Sequence, residues 1–129
     1  MIFVDTNYFL RFLLKDNTVQ AQKVKELFEQ AAKGKKELTT SVIVFFEIYW
    51  VLSSFYETKK YQILRVLQGL LEMSFVTFDQ HHILQEAVNL FQKTSLDLED
   101  AYNIAYASFY EAKEFGTFDK KLLTVWGKQ

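Results

Sequence analysis

The chain has 129 residues and a mass of 15.3 kDa, the size of one ordinary domain and too short for two comfortable ones. Fifteen Lys and Arg stand against sixteen Asp and Glu, so no global basicity announces a nucleic-acid binder, and a hydrophobic fraction of 50% excludes intrinsic disorder. Cysteine is absent and the two histidines are adjacent at His81 and His82, which removes disulfide scaffolds, thiolate metal sites and a multi-histidine zinc centre.

The opening Met1-Ile2-Phe3-Val4-Asp5 meets an acid before any apolar stretch of signal-peptide length. The most apolar run, 42–52, contains Glu47 and falls short of the roughly 20 residues needed to cross a bilayer. A soluble, cytoplasmic chain is expected. Residues 2–4 form a short apolar run of the kind that fills a strand buried on both faces of a parallel sheet. A short helix is predicted over 8–15 with Asn7 as N-cap, and a second over 18–33, with Val24, Leu27, Phe28 and Ala31 at helical period and Gly34 as its stop.

A second strand is expected at 37–40, after which Ser41 caps a long helix reaching about Phe55. Residues 59–71 read as another helix, 75–78 as a third strand, 79–93 as an amphipathic helix and 97–113 as a last long helix. A fourth strand is predicted at 115–118 and a short fifth at 123–126. Proline is absent, only four glycines occur, and no linker or repeat divides the chain. Strands alternating with helices indicate a single α/β domain over 1–129 with a mainly parallel sheet of four to five strands.

Four acids stand at telling places in this order. Asp5 and Asp119 each follow a predicted strand, the position from which side chains reach the ligand-binding edge of an open parallel sheet. Each could equally cap the helix or turn that follows. Glu47 is the only charged residue between Ser41 and Phe55, and a carboxylate on so apolar a helix demands a partner if buried. Asp100 lies in the acidic turn Asp97-Leu98-Glu99-Asp100, where the helix dipole would be satisfied by one or two acids. Glu47, six residues into its helix, lies roughly 9 Å along the axis from the helix start. Four converging carboxylates would require Mg²⁺ or Mn²⁺, since like charges a few Å apart do not all stay ionised unaided. Such a metal suits phosphodiester hydrolysis.

Val4-Asp5-Thr6-Asn7, Phe46-Glu47, Glu99-Asp100-Ala101-Tyr102-Asn103-Ile104-Ala105 and Thr117-Phe118-Asp119 together resemble the PIN-domain nucleases. Their order, spacing and whole-chain length are similar to the compact VapC-type toxins of toxin–antitoxin pairs. The resemblance implies a three-layer α/β/α sandwich and a Mg²⁺-dependent endoribonuclease that cleaves transfer or ribosomal RNA and thereby inhibits translation. It implies that Asp5, Glu47, Asp100 and Asp119 are catalytic, metal-binding acids oriented by Asn7 and Thr117. It further implies a homodimer silenced by a cognate antitoxin. The run before Asp119, Ala112-Lys113-Glu114-Phe115-Gly116, departs from the more apolar strand usual in the family.

Arg11 and Lys15, one turn apart just after Asp5, are placed to hold a phosphate. Lys33, Lys35 and Lys36 form a small basic cluster, read as a solvated loop or an RNA contact, and the histidines are read as surface residues. Tyr102, Tyr106 and Tyr110 form an i, i+4, i+8 stripe, expected to pack in a core or dimer contact, with base stacking as the alternative. A phosphatase of the haloacid dehalogenase type is disfavoured because Asn7 stands where that family places an acid. The different-class alternative to a nuclease is a non-catalytic PIN-fold module that binds RNA or a protein.

Overall fold

A computed structural model describes all of residues 1–129. It divides into two compact units, Met1–Asp79 and Gln80–Gln129.

The first unit runs β1 (Ile2–Phe3), α1 (Thr6–Leu14), α2 (Thr18–Ala32), β2 (Leu38–Thr40), α3 (Val42–Ser54), α4 (Lys60–Leu71), β3 (Val76–Phe78). The three strands form one parallel sheet in the order β1-β2-β3, and a helix pair makes each crossover. Leu38 pairs with both Ile2 and Val76, which sets the register across the sheet. Beyond the strand ends, Thr40 Oγ1 donates to the Val4 carbonyl over 2.8 Å and Asp79 N donates to the Thr40 carbonyl. The expectation that the first strand is buried on both faces holds only for Val4. Ile2 and Phe3 are exposed because β1 is an edge strand.

The core of this unit is aromatic. Phe9 on α1 is wholly buried, with ring centroids 5.7 Å from Phe28 on α2 and 5.8 Å from Phe78 on β3. Phe45 on α3 meets Phe78 edge-on at 5.9 Å, the arrangement that brings a positive ring edge to a negative ring face. α3 buries Val44, Phe45, Phe46, Ile48, Tyr49 and Leu52, and it packs on both α1 and α4. That explains its nearly unbroken apolar sequence. Ser41 caps it as expected, accepting from Val44 N. The first helix instead starts at Thr6 with Asp5 as its cap, two residues ahead of the predicted cap Asn7. α2 ends at Ala32, and the turn continues through Gly34 at φ 79°, a conformation glycine adopts without a Cβ penalty.

The second unit is helical throughout: α5 (His81–Lys93), α6 (Leu98–Phe109) and α7 (Lys120–Trp126). Leu96, Ile104 and Leu122 are buried at its centre, with Leu90, Phe115, Val125 and Trp126 packed against them. The mixed α/β class and the parallel sheet stand, but the sheet has three strands rather than four to five. Residues 115–118 are irregular: Phe115 turns inward onto the Trp126 ring at 5.4 Å, while Phe118 is fully exposed. Residues 123–126 are helical because Asp119 nucleates α7 and overrides their β-compatible side chains. α6 also stops four residues short of Lys113. Glu111 takes the left-handed conformation at φ 58° and Ala112 N donates back to the Ala107 carbonyl, the six-to-one bond of a Schellman ending. No helix is long and apolar enough to cross a membrane.

Candidate functional site

In the first unit, Asp5 lies just beyond the carboxyl end of β1, where sequence reasoning placed it, but its carboxylate turns back onto the chain. Oδ1 accepts from Thr6 N over 2.7 Å at the start of α1, where the orphan amide groups and the helix dipole favour an anion. Thr6 itself is buried, and its hydroxyl donates to Glu47 Oε1 over 3.0 Å. That bond supplies the partner the half-buried Glu47 requires on so apolar a helix. The expected partner was a metal; the observed one is a hydroxyl of this chain. Thr6 was missed in the sequence, although its place directly after Asp5 was the available signal.

In the second unit, Asp97 caps α6, accepting from Asp100 N over 2.8 Å. Asp119 caps α7, its Oδ1 accepting from Lys121 N at 2.9 Å and Leu122 N at 3.1 Å. Thr117, expected to orient the Asp119 carboxylate, instead accepts from the Asp119 backbone amide through Oγ1. Asp100 sits in the negative field of these acids. Its carboxyl titrates above the ordinary 3.8 because burial disfavours its charge, with Asp97, Asp119 and Glu99 adding repulsion and Lys121 partly offsetting it. Lys121 places its ammonium on the Ser95 carbonyl, and Glu99 Oε1 is buried without a hydrogen-bond partner.

A Mg²⁺ or Mn²⁺ centre does not fit this donor set. No group of three or more His, Asp or Glu side chains in the chain is arranged so that it could hold a metal ion. Asp5 and Asp119 each turn a carboxylate oxygen to helix-start amides, and Glu47 accepts the Thr6 hydroxyl. The expectation of a metal-dependent endoribonuclease, with its hydrolase chemistry and its Mg²⁺ or Mn²⁺ cofactor, is therefore corrected. Asp5, Asp119 and Glu47 are engaged by the fold.

Basic and aromatic groups converge elsewhere, along the α1–α2 pair. A pocket of about 470 Å³ is lined by Phe12, Lys15, Thr18, Ala21, Gln22 and Lys25. A second of about 270 Å³ is lined by Asn7, Tyr8, Arg11, Gln20, Lys23 and Val24. Arg11 is held in place there by Gln20 at 2.6 Å and by an ion pair to Asp16 at 3.1 Å. Asn7, expected to support the acids, lines this pocket instead.

The model of the PIN domain family matches residues 2–126, spanning both units. The chain belongs to the PIN-domain family. No curated protein and no solved structure matches it.

Proposed function

We propose that this chain is a PIN-fold interaction module that binds RNA and does not cleave it. The observation that carries this reading is the use of the candidate acids. Asp5 and Asp119 cap helices and Glu47 accepts from Thr6, while four cationic side chains line open pockets on the α1–α2 pair. Lys15 and Lys25 stand beside Phe12, and Lys23 beside Tyr8 next to the Asp16-paired Arg11, so three lysines bring phosphate-binding charge to rings on which a base can stack. Neither pocket is lined by an acid. The near-neutral total charge is no obstacle, because these four cations are gathered on one helix pair.

The rest of the picture belongs to the same proposal. The chain is one PIN-like domain over 1–129 with three-layer α/β/α architecture, acting in the cytoplasm. The order and spacing of Asp5, Glu47, Asp100 and Asp119 support kinship with the compact toxin-type members, and hence a homodimer with an antitoxin-like protein partner. Folded transfer or ribosomal RNA, with its unpaired loops, is the ligand class that such mixed basic and aromatic pockets suit.

Fluorescence anisotropy with a labelled single-stranded RNA, in EDTA and again in Mg²⁺, tests the reading. Salt-dependent binding of similar strength in both buffers, with the RNA intact afterwards, is expected. Lys15→Glu combined with Lys25→Glu should weaken it about ten-fold or more, as expected when phosphate contacts are reversed in sign. Mg²⁺-dependent shortening of the RNA, or binding unaffected by the two reversals, would overturn it.

A further inference from the structure

The tyrosine stripe of α6 is expected to pack in a core or a dimer contact; within this chain Tyr102 is half-buried, its hydroxyl donating to Gln80, whereas Tyr106 and Tyr110 face solvent. Tyr106 is 43% exposed, Phe109 51% and Tyr110 58%. The rings form a continuous ladder: Tyr102 to Tyr106 at 6.0 Å, Tyr106 to Tyr110 at 4.6 Å and Phe109 to Tyr110 at 5.0 Å, edge-on. His82 of α5 extends it, its ring 5.8 Å from that of Phe109. Beside the ladder opens a pocket of about 210 Å³ whose wall includes His82, Glu86, Ser108 and Phe109. Glu86 is exposed, and neither a hydrogen bond nor an ion pair within the chain engages it.

The charge carried by the ladder's own helix is of one sign. α6 carries Glu99 and Asp100 in its first turn and no Lys or Arg along its length. Asp97 precedes it, and Glu111 and Glu114 follow it, with Lys113 between them. Stacked rings alone would suit unpaired bases, but bases bring phosphates, which these carboxylates repel. A guanidinium has the opposite sign, lies flat on a tyrosine face and accepts a carboxylate through its planar fork.

We infer that the α5–α6 face, with the Tyr102–Tyr106–Tyr110 ladder and the Glu86 pocket, is a docking surface for an arginine-bearing segment of a protein partner. One arginine enters the pocket against Phe109 and pairs with Glu86, while its neighbours lie along the tyrosines. The surface is independent of the RNA-binding face on α1–α2, so either can fail without the other.

The probe is a fluorescein-labelled peptide of alternating Arg and Gly, compared by anisotropy with its Lys–Gly and Glu–Gly counterparts. The Arg peptide should bind tightest, the Lys peptide several-fold more weakly, and the Glu peptide not at all. Tyr106→Ala and Tyr110→Ala should each weaken the Arg peptide about five-fold, in line with a lost cation–π contact, whereas Tyr106→Phe should keep most of the affinity. Glu86→Gln should weaken it further and reduce its salt dependence. Tyr106, Tyr110 and Glu86 are all exposed, and unchanged circular dichroism verifies the fold. Equal affinity of these variants for the Arg peptide, or equal binding of the Glu peptide, would overturn the inference. So would loss of RNA binding in Tyr106→Ala with the peptide unaffected, or a change from dimer to monomer in Tyr110→Ala, which would assign the ladder to RNA or to a second copy.

Discussion

Thr6 joins two of the acids: its amide feeds the Asp5 carboxylate and its hydroxyl feeds Glu47. Removing that hydroxyl in Thr6→Val leaves a half-buried carboxylate short of a donor. The expected loss is about 1.5–3 kcal/mol, the range for a hydrogen bond to a charged group, measured by urea unfolding. Thr6→Ser should retain most of the stability. Asp100 makes the opposite prediction. Its folded carboxyl titrates above the ordinary 3.8, so its charged form is disfavoured in the fold and stability falls as pH rises through that interval. Asp100→Asn should therefore stabilise the chain near pH 7, by less than about 1 kcal/mol because solvent still screens this half-buried carboxylate. The gain should vanish once the pH drops below 3.8, which thermal melts across pH would show.

Local chemistry and tertiary context part company at the elements. The cap Ser41, the α3 helix and the β2 and β3 strands were legible because capping chemistry and apolar pattern pointed the same way. Residues 123–126 misled because Leu, Thr, Val and Trp suit a strand in isolation, yet Asp119 starts a helix just before them. The fourth strand failed for a different reason: Phe115 is committed to the packing against Trp126, and Phe118 has nothing to cover it. The overlong α6 rested on its continuing pattern, which cannot show that Glu111 adopts a left-handed backbone. That residue pays a steric penalty a glycine would avoid, so Glu111→Gly should stabilise the chain by about 1 kcal/mol. Asp119→Ala should cost about 1 kcal/mol, while Asp119→Asn, itself a good cap, should cost little. Chemical denaturation of the three variants side by side checks both statements.

For the molecule as a whole, family and chemistry separate. The ordered motifs made the PIN family legible from sequence, and the match over residues 2–126 bears that out. The metal centre was inferred from acids standing near strand ends and helix starts, but those are also the places where a fold uses carboxylates as caps. Spacing along a chain cannot distinguish the two uses; only the direction of each carboxylate can. Here Asp5 and Asp119 point to backbone amides, Glu47 to Thr6, and no three acids or histidines form a metal-holding group. Isothermal titration of Mn²⁺ into the purified chain tests this most directly. Only the heat of dilution is expected, with no saturable binding. A saturable, stoichiometric isotherm that disappears in Asp5→Asn or Asp119→Asn with the fold intact would contradict it.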